Sequence, residues 1–167
     1  MLCFVVLLVM NKIKVYVDTS VIGGCFDEEF SKYSNMLVDK FKKRLFIPIV
    51  SETVDKEIKN SPDLVEKKYN EILTYNAIYL NITDEVDNLV LEYLNKKIVT
   101  KKYEGDCYHI ALATINKIDI LVSWNFKHIV NNQKIMLFNF VNKSLNYSEI
   151  IINDPSDFLG YGKYKLE

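Results

Sequence analysis

Five glycines and three prolines in 167 residues leave little material for a flexible linker, and none for a collagen-like tract. Three cysteines, Cys3, Cys25 and Cys107, are spread without any Cys-x-x-Cys spacing. An odd count without a usable secretion signal excludes a disulfide framework and points to free thiols in a reducing compartment. Excess charge is missing too. The chain holds 21 basic and 22 acidic residues, a net charge of −1, so any nucleic-acid binding must rest on a local patch. Arg44 is the only arginine, which removes the bidentate fork that reads guanine. No membrane span is expected either. The apolar run Met1–Met10 is too short for the roughly 20 residues required. Lys12 and Lys14 follow it, the wrong order for a secretion signal. We read residues 1–11 as an apolar extension, of which 1–9 are dispensable to the fold and lie upstream of a natural start at Met10, and the protein as cytoplasmic.

What is present is the composition of an ordinary globular chain, 49% hydrophobic and 26% charged. A chain of this length buries roughly 70% of its unfolded surface and needs no disulfide or structural metal to hold a core. The expected organisation is one domain over 12–159 followed by a short tail, 160–167. Within it, short β-type runs alternate with helical patterns. Ile13, Val15 and Val17 alternate with Lys14 and Tyr16, giving a first strand that ends at Asp18. Tyr33, Leu37 and Phe41 predict a helix over 28–43. Further strands are expected at 46–50, 77–82, 118–123 and 149–152, with Pro48 marking an edge or strand end. Ser51 and Thr83 read as N-caps, and Ser61-Pro62-Asp63 as a third helix start. Asp106 is expected to open a helix lined by Ala111 and Ala113, and 127–131 and 137–145 to be helical. Strands alternating with helices predict an α/β fold, a parallel sheet between two helical layers.

In such sheets ligands gather beyond the carboxyl ends of the strands. Asp18-Thr19-Ser20 leaves the first strand there, and Ser123-Trp124-Asn125 the fourth. Glu57 and Asp106 lie in helices whose ends reach the same rim. Converging carboxylates repel one another unless a divalent cation neutralises them, and oxygen ligation suits Mg²⁺ or Mn²⁺. Singly, Glu57 reads as a solvated acid and Asp106 as an N-cap, while for Asp18 a helix cap is only the alternative reading. Together they favour a metal site.

Three segments, KVYVDTSVIGGCFD (14–27), VSETVDKEI (50–58) and DCYHIALATINKIDILVSWNFKHIVN (106–131), resemble the PIN-domain family of metal-dependent ribonucleases. The resemblance runs from about residue 12 to 159, and is nearest to prokaryotic proteins whose fourth strand ends in SWNFKH. Toxins of VapBC-type toxin–antitoxin pairs are more distant cousins. The resemblance implies an α/β/α sandwich whose acidic pocket binds Mg²⁺ or Mn²⁺ and cleaves single-stranded RNA. It maps the family acids onto Asp18, Glu57 and Asp106, and the small hydroxyl residues onto Thr19 and Ser20. It admits an antitoxin-like partner and a homodimer. The chain departs from the family at the fourth acid, where it has Asn125. An amide oxygen still ligates a metal, but one negative charge is gone.

His109, Ser123 and His128 are candidates for substrate contact or for support of the acids. His109 lies one helical turn beyond Asp106, on the same face. For both histidines a positioning role by hydrogen bonding is favoured over metal or phosphate binding. Trp124 is expected to pack rather than to stack on a base. Lys40, Lys42, Lys43, Lys96, Lys97, Lys101, Lys102 and Lys127 are the lysines available to phosphate. Two other functions compete. One is a PIN scaffold that binds RNA or a partner and cleaves slowly. The other is a haloacid dehalogenase-type phosphatase, which needs Asp-x-Asp where this chain has Ser20.

Overall fold

A computed structural model of the chain describes residues 12–160. The apolar extension with Cys3, and the tail from 161 onward, lie outside the described residues. Five strands, β1 (Lys14–Val17), β2 (Ile47–Ser51), β3 (Ile78–Leu80), β4 (Ile120–Val122) and β5 (Ile152–Asn153), form one sheet in the order β3-β2-β1-β4-β5. Every pairing is parallel. The helices are α1 (Thr19–Gly24), α2 (Ser31–Lys42), α3 (Glu52–Ile58), α4 (Asp63–Leu73), α5 (Asp84–Asn95), α6 (Glu104–Ile115), α7 (Asn132–Ser144) and α8 (Pro155–Gly160). Helices α1, α2, α4 and α8 pack among themselves, and α5 packs on α6 and α7, so the sheet lies between two helical layers. This is the expected α/β/α sandwich, with a PIN-like topology.

A parallel sheet covered on both faces has no watery side, so its strands read as continuous apolar runs. Val15, Tyr16 and Val17 are all buried, and Tyr16 completely. The alternation expected in this segment therefore gives way to a fully buried run. β2 lies inside the sheet, between β1 and β3. Pro48 is its second residue, so it marks a strand end and not an edge.

The helices start largely where their caps predict. The Ser51 hydroxyl accepts from Val54 N and the Thr83 hydroxyl from Val86 N. Ala111 and Ala113 are fully buried on α6, the helix that packs against α5. Other expectations need correction. Asp106 does not open its helix, which starts at Glu104 and is preceded by a 3₁₀ turn, Lys101–Tyr103. Residues 126–129 form turns, because Asn125 O accepts from both Ile129 N and Val130 N, and the helix begins only at Asn132. Two short helices were not expected: α1, whose sequence TSVIGG ends in two poor helix formers, and α8. Among the described residues no helix is long and apolar enough to cross a membrane.

From β1 the chain steps outward through β2 to β3, then crosses to β4 on the other side of β1. The direction of winding reverses between β1 and β4, and a crevice opens at such a reversal. Asp18 N donates to Val122 O over 3.2 Å, which holds the two strand exits side by side.

Candidate metal centre

Asp18 stands at the β1 exit, only 4% exposed. Its Oδ2 accepts from the hydroxyls of Ser20 and Ser123, each at 2.6 Å. The Ser20 hydroxyl also accepts from Trp124 N, and the Ser123 hydroxyl from Asn125 N, both at 2.9 Å. Two serines from different strand exits thus fix one carboxylate oxygen, and leave Oδ1 to face the crevice. Glu57 reaches the same place from α3, where Thr19 donates to its Oε2. Burial pushes the Glu57 carboxyl up, yet the hydrogen bonds from His109 and Thr19 outweigh it and hold it below the usual glutamate value.

His109 joins these acids. Its Nε2 lies 3.3 Å from Asp18 Oδ1 and 3.3 Å from Glu57 Oε1. On its other side Nδ1 is 2.8 Å from the Tyr16 hydroxyl, which is 2.6 Å from Ser51 Oγ. Burial alone would lower the pKa of this imidazole. The charge it feels from Tyr16, Asp18 and Glu57 instead holds it well above the ordinary value. A protonated His109 donates from both nitrogens, and serves as an internal cation between two carboxylates. With its proton displaced, the imidazole becomes a ligand in its turn: Asp18, Glu57 and His109 offer three ligand atoms within 4.8 Å of one another, a geometry able to hold a metal ion in place of that internal cation.

Asp106 sits beside this cluster on α6. Its Oδ1 accepts from the Asn125 side-chain amide over 2.9 Å, and its buried Oδ2 has no hydrogen-bond partner. Burial, with Asp18 and Glu57 nearby, pushes its carboxyl up to about 6, against the pull of His109 and Lys134. An orphaned buried carboxylate oxygen next to two further acids suits a divalent cation.

The remaining candidates surround this centre. Asn125 Oδ1 accepts from His128 N over 3.0 Å. His128 itself is buried, its ring 3.9 Å from that of Tyr103, its Nδ1 2.7 Å from Lys134 Nζ and its Nε2 without a partner. Burial, then Lys134 and Lys127, hold its pKa below the ordinary value. Trp124 packs as expected. It stacks on Phe30 at 4.5 Å and donates from Nε1 to Ser34 Oγ over 2.9 Å.

Sequence reasoning missed Tyr16, Ser51, Tyr103 and Lys134. For Tyr16 and Ser51 the available signal was a polar group in strands otherwise built of buried aliphatics. It also gave His109 a supporting role only. The signal for more was a histidine set between Cys107 and Ile110, on the apolar face of α6.

No protein-family model and no curated protein matches this sequence. Among solved structures the chain is similar to VapBC2 from Rickettsia felis bound to a DNA fragment from their promoter. That match has 14% identity and a TM-score of 0.51, over 85% of this chain and 98% of that chain. Tyrosyl-tRNA synthetase from Aeropyrum pernix overlaps more loosely, at 10% identity and a TM-score of 0.47, over 84% of this chain and 51% of that one. At such identities the likeness is one of fold, and it is a distant likeness to a PIN/VapC-like domain.

Proposed function

We propose that this chain is a metal-dependent ribonuclease of the PIN-domain type, hydrolysing phosphodiester bonds of single-stranded RNA. The observation that carries the reading is the convergence of Asp18, Glu57 and His109 within 4.8 Å at the reversal of the sheet, with Asp106 alongside. Asp18, Glu57 and Asp106 would hold Mg²⁺ or Mn²⁺, with Asn125 at the periphery. When bound, such an ion polarises a phosphate oxygen and makes water a better nucleophile. The protein's own groups do the positioning. Ser20 and Ser123 orient Asp18, Thr19 orients Glu57, and the buried Tyr16–Ser51 pair fixes His109 from below.

The distant likeness in fold to VapBC2 supports a toxin-like role with an antitoxin-like protein as partner; a homodimer rests on the family resemblance alone. A second reading has its own support. The Asn125 amide ties up one oxygen of Asp106 and supplies no charge, which favours a PIN scaffold that binds RNA or a protein and cleaves slowly.

Incubating purified protein with mixed single-stranded RNA and Mn²⁺ or Mg²⁺ tests the proposal. Cleavage by the wild type, abolished by EDTA and by Asp18→Asn, is the expected result. RNA binding without metal-dependent cleavage would leave only the scaffold.

A further inference from the structure

Beside the metal centre lies a cleft of about 450 Å³ that shares Glu57 with it. Glu52, Thr53 and Lys56 of α3, Ile82 after β3, Asp87 of α5 and Tyr108 of α6 complete its walls. With Glu57, three carboxylates face one ammonium group there. Such a lining repels phosphate and suits a group without negative charge.

The hydrogen bonding narrows the choice. Glu52 is already occupied, by Lys56 at 2.8 Å and by Ile82 N at 3.2 Å. The Tyr108 hydroxyl donates to Asp87 Oδ1 over 2.8 Å, which fixes the ring against the cleft. Asp87 Oδ2 keeps its acceptor capacity, with no hydrogen bond among the described residues. The Thr53 hydroxyl has no partner. A fixed aromatic ring, an apolar isoleucine and a carboxylate acceptor match the face and edge of a nucleobase. A carboxylate accepts from an exocyclic amino group, which adenine, cytosine and guanine carry; uracil offers only its ring N3–H, set between two carbonyl oxygens that repel the carboxylate.

We infer that this cleft seats a base of the RNA strand next to the cleaved phosphodiester, and selects bases bearing an amino group. The inference rests on the ribonuclease reading above. It makes Tyr108 the stacking platform and Asp87 the residue that sets base preference.

The test is equilibrium binding of labelled pentaribonucleotides to the full chain in EDTA, so that nothing is cleaved. One pentamer is all uridine, and three carry a single adenine, cytosine or guanine at the centre. The wild type should bind the three substituted pentamers several-fold more tightly than the uridine one. Asp87→Asn, whose amide also donates, should remove that difference. Tyr108→Ala should weaken the substituted pentamers about tenfold, the size of one lost base–aromatic stack. Tyr108→Phe keeps the ring and guards against misfolding, since it should retain most of the affinity. Equal affinity for all four pentamers, or a preference that survives in Asp87→Asn, overturns the cleft. Mn²⁺-dependent cleavage by the same wild-type preparation reports separately on the nuclease. Cleavage without base preference would sink the cleft alone, whereas preference without cleavage would uphold the cleft and sink the nuclease.

Discussion

The side-chain amide of Asn125 donates to Asp106 Oδ1 over 2.9 Å, so the residue at the β4 exit is clamped onto the acid of α6. The clamp satisfies one oxygen of a carboxylate whose other oxygen is buried without a partner. It joins the β4 exit to the first turn of α6, from two sides of the crevice.

Asn125→Asp should therefore act in opposite directions with and without metal. In the metal-free protein it replaces a donor by a fourth carboxylate, and should cost about 1–3 kcal/mol of stability. With Mn²⁺ present the added charge should tighten binding several-fold and favour a second ion. Urea midpoints with and without Mn²⁺, together with calorimetric stoichiometry, read both effects. Equal stability and unchanged metal stoichiometry would mean that residue 125 lies outside the ligand shell.

Asp106 makes the metal-free fold sensitive to pH. Its carboxyl goes from an ordinary 3.8 to about 6 on folding, so between these values the unfolded chain releases its proton first. Stability should fall as pH rises through that window, by about 1–2 kcal/mol after the screening at a partly exposed site. His109 works in the same sense. Its raised pKa gives a contribution complete below about 6.5, and lost as pH climbs through the folded value. Asp106→Asn should flatten the acidic limb and raise metal-free stability at pH 7. Mn²⁺ affinity should rise with pH through about 6, as the competing proton leaves. Urea melts at pH 4.5, 6 and 7.5 distinguish the wild type from Asp106→Asn.

Asp18→Asn keeps the shape of the side chain but loses the charge-assisted bonds from Ser20 and Ser123 and the ion pair with His109. It should lower stability by about 1–3 kcal/mol and weaken Mn²⁺ binding at least about tenfold. Imidazole resonances followed by NMR should also place the His109 pKa below its wild-type value. An unchanged His109 titration would remove Asp18 from its list of partners.

Gly24 has a packing reason to be glycine. A Cβ there would stand 2.7 Å from Ser34 Oγ and 2.9 Å from Trp124 Nε1, between two groups already hydrogen-bonded to each other. Gly24→Ala should break that bond and shift the β4 exit, at a cost of about 1–3 kcal/mol. Trp124 is the only tryptophan, so its fluorescence reports the change directly. An emission spectrum and melting temperature equal to wild type would show that the loop adjusts without loss.

The parts of this fold that were legible in the sequence are those fixed by local chemistry. Ser51 and Thr83 announce their helices because a hydroxyl satisfies a free backbone N–H wherever it stands. Asp18 and Asn125 could be placed at the rim because strand ends are marked by the end of an apolar run. Relationships across the sheet were not legible. Asp106 and His109 are one turn apart on α6, yet one pairs with Asn125 and the other reaches Asp18 and Glu57. Only the packing of α6 over β1 and α3 decides which residue goes where. Tyr16 was obscured for the same reason, since its burial follows from a second helical layer that no local pattern records.

The switch-point arrangement has a consequence for the newly made chain. Asp18 and Glu57 emerge from the ribosome early, whereas His109, Asp106 and Asn125 arrive only with α6 and β4. Parallel pairing of β1 with β4 spans a separation of about a hundred residues, a long-range closure that folds late. An incomplete chain ending before α6 has two carboxylates with no histidine between them, and no β4 to bring Ser123 against Asp18. On the ribonuclease reading, a chain assembled in this order stays silent during its own translation, and proteolytic removal of the segment from α6 onward silences it again.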